Sequence, residues 1–177
     1  MAEPVLRRAT PADVPALSAI WFAASMQAHG FLGAERLAAQ RRLVEEVYLP
    51  RAETWLACGP APSGLGRAPL ATGNGTAQAD PRLPRPAPVD APIPLGFISL
   101  LGHFVGALFV DPAAQGRGIG SRLIAQARAL RGDLVLEVYT ANPRALHFYA
   151  AQGFRETARK PVDAGGLPFE TARLVLA

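Results

Sequence analysis

Apolar and polar positions change period along the chain, and each change marks an element. Val5-Leu6-Arg7-Arg8 reads as a short first strand. Thr10 then offers a helix cap, with Pro11 at the first helical position and Asp13 three residues after the cap. Leu17, Ile20, Trp21 and Ala24 recur at helical spacing, and Gly30 is expected to close that helix. A second helix is predicted from near Ala34 through Leu37, Val44, Val47 and Tyr48, ending before Pro50. Strands are predicted at Thr54–Cys58, Leu95–Leu101 and Phe104–Val110, with a turn near Gly102-His103.

The second half is more strongly patterned. After Asp111-Pro112 comes Gln115-Gly116-Arg117-Gly118-Ile119-Gly120, then a helix with Ile119, Leu123, Ile124, Ala127 and Leu130 on one face. Leu134–Tyr139 has the apolar character of a buried strand. Asn142 and Pro143 open a helix carrying Leu146, Tyr149 and Ala150 on one face, and Gly153 stops it. Strands at Phe154–Arg159 and Phe169–Leu176 complete the order β-α-α-β-β-β-α-β-α-β-β, an α/β domain.

Residues 59–92 break the pattern, with eight prolines and five glycines in 34 positions. Proline removes backbone donors and glycine raises the entropy of ordering, so a flexible surface insertion between two strands is expected; a lid role is the alternative. The chain of 177 residues suits one domain spanning 1–177 around this insertion.

Composition narrows the chemistry. A single cysteine, Cys58, excludes a disulfide framework within the chain and a multi-cysteine metal cluster. His29, His103 and His147 lack metal-ligand spacing, so no metal is expected. No apolar run spans a bilayer and the N-terminus has no apolar signal core, so a cytoplasmic protein with no membrane association is expected. Lys160 is the single lysine among 18 basic residues, and the net charge is +4. The arginines neither cluster nor interleave with aromatic residues, which argues against nucleic acid as a partner.

A strand, a glycine-rich turn and a helix start together form an anion site. Glycines let backbone amides approach a phosphate, and the helix N-terminus adds favourable partial charge. Arg117 and Arg122 can add further positive charge. A Walker loop would need lysine before its serine or threonine, and here Ser121 follows Gly120 directly. The GxGxG spacing also differs from the GxGxxG of a dinucleotide-binding turn. A glycine turn without a ligand is the remaining alternative.

The string Gln115-x-x-Gly118-x-Gly120 resembles motif A of the GNAT superfamily of acetyl-CoA-dependent N-acetyltransferases. Asn142-x-x-Ala145-x-x-Phe148-Tyr149-x-x-x-Gly153-Phe154 resembles a second signature of that superfamily. The first half is similar to the small bacterial YjaB-like branch at Ala19-Ile20-Trp21, His29-x-Phe31-Leu32, Tyr48-Leu49-Pro50 and Trp55-Leu56-Ala57, as is Asp163-x-x-Gly166-x-Pro168 in the tail. The resemblance implies a mixed, largely antiparallel central sheet with splayed central strands, flanked by helices.

It also implies roles. Acetyl-CoA would be the cosubstrate and an amine the acceptor, which is either a small molecule or a peptide. The pantetheine arm would lie along Leu108, Phe109 and Val110, and the pyrophosphate on the turn Gln115, Gly116, Arg117, Gly118, Ile119, Gly120 and Ser121. Asn142 would face the cofactor arm, a role compatible with capping its helix. Tyr149 would sit near the sulfur, where a phenol can protonate the departing thiolate as general acid. A backbone amide on the strand can polarise the carbonyl, and no covalent enzyme intermediate is required, so Cys58 is expected as a core or strand-end residue rather than a nucleophile.

The base is open. Histone-type relatives carry a glutamate on the strand before the glycine loop, and here that strand has none. Glu137, on one strand face with Val135 and Tyr139, matches the place of a catalytic glutamate in the ribosomal-protein N-terminal acetyltransferases. His103 is a second candidate base, and a relayed water is a third route. His29 is a candidate for the acceptor pocket. His147 points away from the Tyr149 face, and Glu45-Glu46 reads as a solvated helix face. An N-terminal protein acetyltransferase and a silent acyl-CoA-binding domain are alternative functions, and the chain is read as a monomer or homodimer.

Overall fold

In the computed structural model, which describes residues 3–60 and 92–177, the chain forms a seven-stranded mixed sheet with helices on both faces. The elements are β1 (Val5–Arg8), α1 (Val14–Ala28), α2 (Ala34–Leu43), a single turn α3 (Leu49–Arg51), β2 (Glu53–Gly59), β3 (Ile93–Leu101) and β4 (Phe104–Val110). They continue with α4 (Ile119–Arg131), β5 (Leu134–Tyr139), α5 (Pro143–Ala151), β6 (Arg155–Lys160) and β7 (Thr171–Leu176). The sheet order is β1-β2-β3-β4-β5-β7-β6. Every neighbouring pair is antiparallel except β4 and β5, which run parallel.

The expected element order is observed, and several boundaries move. The Thr10–Asp13 signal opens a 3-10 turn ahead of α1, where the Asp13 carboxylate accepts from the Thr10 amide and hydroxyl, each at 2.8 Å. Gly30 does not close α1. The helix ends at Ala28 with His29 as its cap, and the left-handed residue is Gly33 (φ 85°), which introduces α2. Pro50 does not stop the second helix. The backbone widens into a π turn over Val44–Tyr48 and runs on through α3, where Pro50 occupies an opening position that needs no N–H donor. Leu130 is 37% exposed, not part of the buried α4 stripe. Glu45 is more than a solvated charge, because it accepts a hydrogen bond from the fully buried Ser18 hydroxyl.

Most of the expected insertion, residues 61–91, lies outside the described residues. Its first residue belongs to the sheet instead, since Gly59 pairs with Ile93.

The two faces divide the core. Leu134, Leu136 and Val138 of β5 join Ile98, Leu123, Ile124 and Ala127 beneath α4, and α5 packs on the same face. Phe97, Leu56 and Cys58 join Leu17, Ile20, Trp21 and Leu37 beneath α1 and α2. The period-2 alternation of β5 therefore sends Val135, Glu137 and Tyr139 to the α1 and α2 side.

The centre of the sheet opens. β4 and β5 match at one register position, Phe104 opposite Val135, and then diverge. On its other side β4 carries a bulge: Ser99 pairs with Ala107 and Leu100 with Val105, leaving Gly106 as an extra residue. A bulge bends its strand and increases its twist. Beyond Phe104 the β5-facing edge of β4 is left without a strand partner among the described residues.

Candidate active site

The opening between β4 and β5 leads into a cleft of about 590 Å³. Its walls include Leu108 and Val110 of β4, the turn at Gln115, Gly116 and Gly118–Ser121, and Asn142, Ala145, Phe148 and Tyr149. These residues come from three separated stretches, brought together because β4 feeds α4 and β5 feeds α5 at the same end of the sheet.

The glycine turn is built to present amides. Gly116 and Gly118 adopt φ of 76° and 74°, a region L side chains avoid. Gly118 caps α4 and has no side chain to satisfy the helix start, so the first-turn amides have no side-chain cap. Unsatisfied donors at the positive end of a 13-residue helix suit an anion such as a pyrophosphate. Gly120 serves packing: a Cβ there would lie 3.0 Å from the Phe148 ring, so glycine lets α4 approach α5. The Gln115 side chain donates to the Val110 carbonyl at 3.3 Å and ties the turn to the strand.

The expected arginines do not both serve this turn. Arg117 donates to the Ala113 carbonyl at 3.1 Å. Arg122 is paired with the exposed Glu3 at 2.8 Å and is not among the residues lining the cleft. Arg144, which follows Pro143 at the start of α5, lines the cleft and was not singled out by the motif, in which it occupies a variable position. Gln27 and Ala28 at the end of α1 also line it, an approach of sequence-distant residues with no local signal.

Asn142 caps α5: its side-chain oxygen accepts from the Ala145 amide at 3.0 Å, leaving the NH2 group as a donor on the cleft wall. Tyr149 packs edgewise against Phe148 and Phe154, with ring centroids 5.2 and 5.4 Å away. Burial raises its phenol above the ordinary tyrosine value, so it carries its proton at neutral pH.

On the far face of the opening His29, Phe31, Phe109, Tyr139 and Phe169 form an aromatic cluster. The His29 ring lies 6.2 Å from Phe109 and 5.4 Å from Tyr139, centroid to centroid. Burial lowers the His29 pKa and favours the neutral imidazole. Tyr139 donates to Asp163 at 2.9 Å, and burial together with that bond pushes its phenol up to about 12. Asp163 also accepts from the Gly165 and Leu167 amides, which organises the loop before β7.

The two candidate bases fall elsewhere. Glu137 shares a face with Val135 and Tyr139, as expected, but its carboxylate is paired with Lys160 Nζ at 2.7 Å. His103 sits at the opposite end of β4, paired with Asp133 at 2.9 Å. At about 3.3 Å per residue that end lies roughly 20 Å from Val110, which removes His103 from the opening. His147 is exposed on α5, and Cys58 is buried in β2, where burial raises its thiol pKa.

Among the described residues, no helix is long and apolar enough to cross a membrane.

A mixed sheet opened between two parallel central strands, with an amide-lined turn at the mouth and a phenol in the wall, defines an α/β protein with an anion-binding cleft. Comparison with known proteins specifies the class. Residues 89–156 match the acetyltransferase (GNAT) domain. The chain is 30% identical over 151 residues to peptidyl-lysine N-acetyltransferase YiaC of Escherichia coli, covering 85% of this chain and 82% of that protein. It is 29% identical over 170 residues to peptidyl-lysine N-acetyltransferase YjaB of Salmonella typhimurium, covering 96% of each. The solution structure of apo-form YjaB from Escherichia coli superimposes with a TM-score of 0.74 at 28% identity, over 99% of this chain and 97% of that one. The chain belongs to the GNAT family and is an acetyltransferase.

Proposed function

We propose that the protein transfers an acetyl group from acetyl-CoA to the side-chain amine of a lysine in a peptide or protein. The observation that carries this is the cleft itself: free helix amides, an unladdered strand edge and Tyr149 line one continuous space. The amides of Ile119, Gly120 and Ser121 hold the pyrophosphate, and the unpaired edge of β4 at Leu108–Val110 offers backbone partners to the pantetheine amides. Acetyl-CoA enters from the α4 and α5 face, and its thioester reaches the opening between β4 and β5.

The chemistry follows from this placement. A neutral amine attacks the thioester carbonyl directly, and Tyr149 protonates the sulfur as the tetrahedral intermediate collapses. The aromatic cluster on the far face matches the alkyl chain of a lysine. The names of the relatives support a lysine acceptor.

The test is a labelled acetyl-transfer screen across lysine peptides, peptides with a free N-terminal amine only, polyamines and free amino acids, with Tyr149→Phe as control. Transfer to lysine ε-amines supports the reading. Transfer confined to N-terminal amines reassigns the acceptor, and acetyl-CoA binding without transfer to any amine removes the enzymatic role.

A further inference from the structure

We propose that His29 is the group that takes the proton from the attacking amine. This rests on the acetyl-transfer reading above and supplies the base that reading lacks. The placement is specific. Ala28 ends α1 on the wall of the cleft, and His29 follows it directly. Its imidazole packs edgewise on Phe109 and Tyr139, the residues of β4 and β5 that flank the opening on the α1 face. An amine approaching the thioester from that face passes the imidazole.

The other groups nearby are committed. Glu137, two residues before Tyr139, is paired with Lys160 Nζ at 2.7 Å. Asp163 accepts from the Tyr139 hydroxyl and from two amides, and those bonds hold its carboxyl below the ordinary aspartate range. Arg36 of α2 acts on Tyr139 and Asp163 and favours the same ionisation. Phe31, Phe109 and Phe169 are apolar. The His29 ring has burial as its one perturbation and no hydrogen-bond partner among the described residues.

The step balances. The amine lone pair forms the C–N bond as the carbonyl π pair moves onto oxygen, and the C–S bond breaks when the tetrahedral intermediate collapses. His29 accepts the proton released from nitrogen, and Tyr149 gives one to sulfur. Exchange with water then deprotonates His29 and reprotonates Tyr149, so amine plus acetyl-CoA yields the acetamide plus coenzyme A.

The experiment is the pH dependence of kcat/KM between pH 5 and 9 with a lysine peptide, for the wild type and His29→Gln. The wild type should show an inflection below the ordinary imidazole value of about 6.5, since burial lowers the pKa. His29→Gln should lose that inflection, one unit of slope, and fall ~10²–10⁴-fold near pH 7 while binding acetyl-CoA as before. Imidazole added to His29→Ala should restore part of the rate. Diethyl pyrocarbonate provides a measurement without substitution: with modification mapped by mass spectrometry, turnover should vanish in step with His29. A variant rate within about twofold of wild type, an unchanged inflection, or full turnover with His29 modified would overturn the proposal. A wild type that transfers to no amine would instead overturn the acetyl-transfer reading, so the two failures are distinct.

Discussion

Replacing Tyr149 by phenylalanine removes one hydroxyl, and the structure states what else it removes. The ring stacks edgewise on Phe148 and Phe154, contacts that phenylalanine keeps. The hydroxyl has no hydrogen-bond partner among the described residues; burial alone perturbs it. No partner is therefore orphaned, and stability should change by at most about 0.5 kcal/mol. For a chain of this size that is about 1–2 °C in Tm. Loss of a general acid costs ~10²–10⁴-fold, or about 3–5 kcal/mol of transition-state stabilisation. The assay is single-turnover transfer from preloaded acetyl-CoA, with affinity measured by calorimetry on the same samples. A fall of that size in the single-turnover rate, at unchanged affinity and Tm, places the loss after cofactor binding. A rate within about twofold of wild type while chemistry is limiting would refute the acid role. A fall in Tm of several degrees with the rate retained would mean that the hydroxyl serves packing.

Gly118→Glu should abolish coenzyme A binding by calorimetry, because its carboxylate would compete for the free amides of α4; Gly118→Ala, which bears the same positive-φ strain (φ 74°) without charge, should bind more tightly than the glutamate variant. Asp13→Ala should cost about 1 kcal/mol at neutral pH through loss of the Thr10 bonds. Arg7 holds the Asp13 carboxyl well below its ordinary value, so this stabilisation is present above about pH 4, is lost as pH falls further, and the Tm gap between wild type and variant should close there. Replacing residues 61–91 with a short Gly/Ser linker should leave Tm and coenzyme A affinity unchanged, since Gly59 and Ile93 already face each other across β2 and β3. Loss of turnover at retained stability would assign that segment to the site.

The legible parts of the fold were those written locally. The alternation in Leu134–Tyr139, the α4 stripe and the Asn142-Pro143 start each depend on residues within a few positions of one another, and each element stands where the pattern puts it. What a local reading does not carry is the partner a side chain finds at a distance. Arg122 reads as a phosphate ligand until Glu3, 119 residues away, takes it. Glu137 reads as a base until Lys160 reaches it across 23 residues. His103 is a candidate base as a letter, and only the direction of β4 shows that it stands at the end of the strand away from the opening. The opening has one weak local signal, the glycine inside Phe104–Val110 that becomes the bulge residue.

The gap between β4 and β5 joins the two faces of the sheet. The α5 face of the sheet holds Tyr149, and the α1 face holds His29, Phe109 and Tyr139. In a fully laddered sheet a proton donor on one face and a proton acceptor on the other would be separated by a layer of hydrogen-bonded backbone. Divergence of β4 from β5 after Phe104 removes that layer at one place, and the ends of α1 and α5 both reach it. On the mechanism proposed above, the thioester is addressed from two sides at once, by the acid at sulfur and the amine at carbon. The antiparallel pair β5–β7, on the other side of β5, keeps its register over six pairs and leaves no such gap. The parallel β4–β5 pair, joined through the crossover helix α4, can begin together and then part, and the free amides of α4 stand at the point where they do.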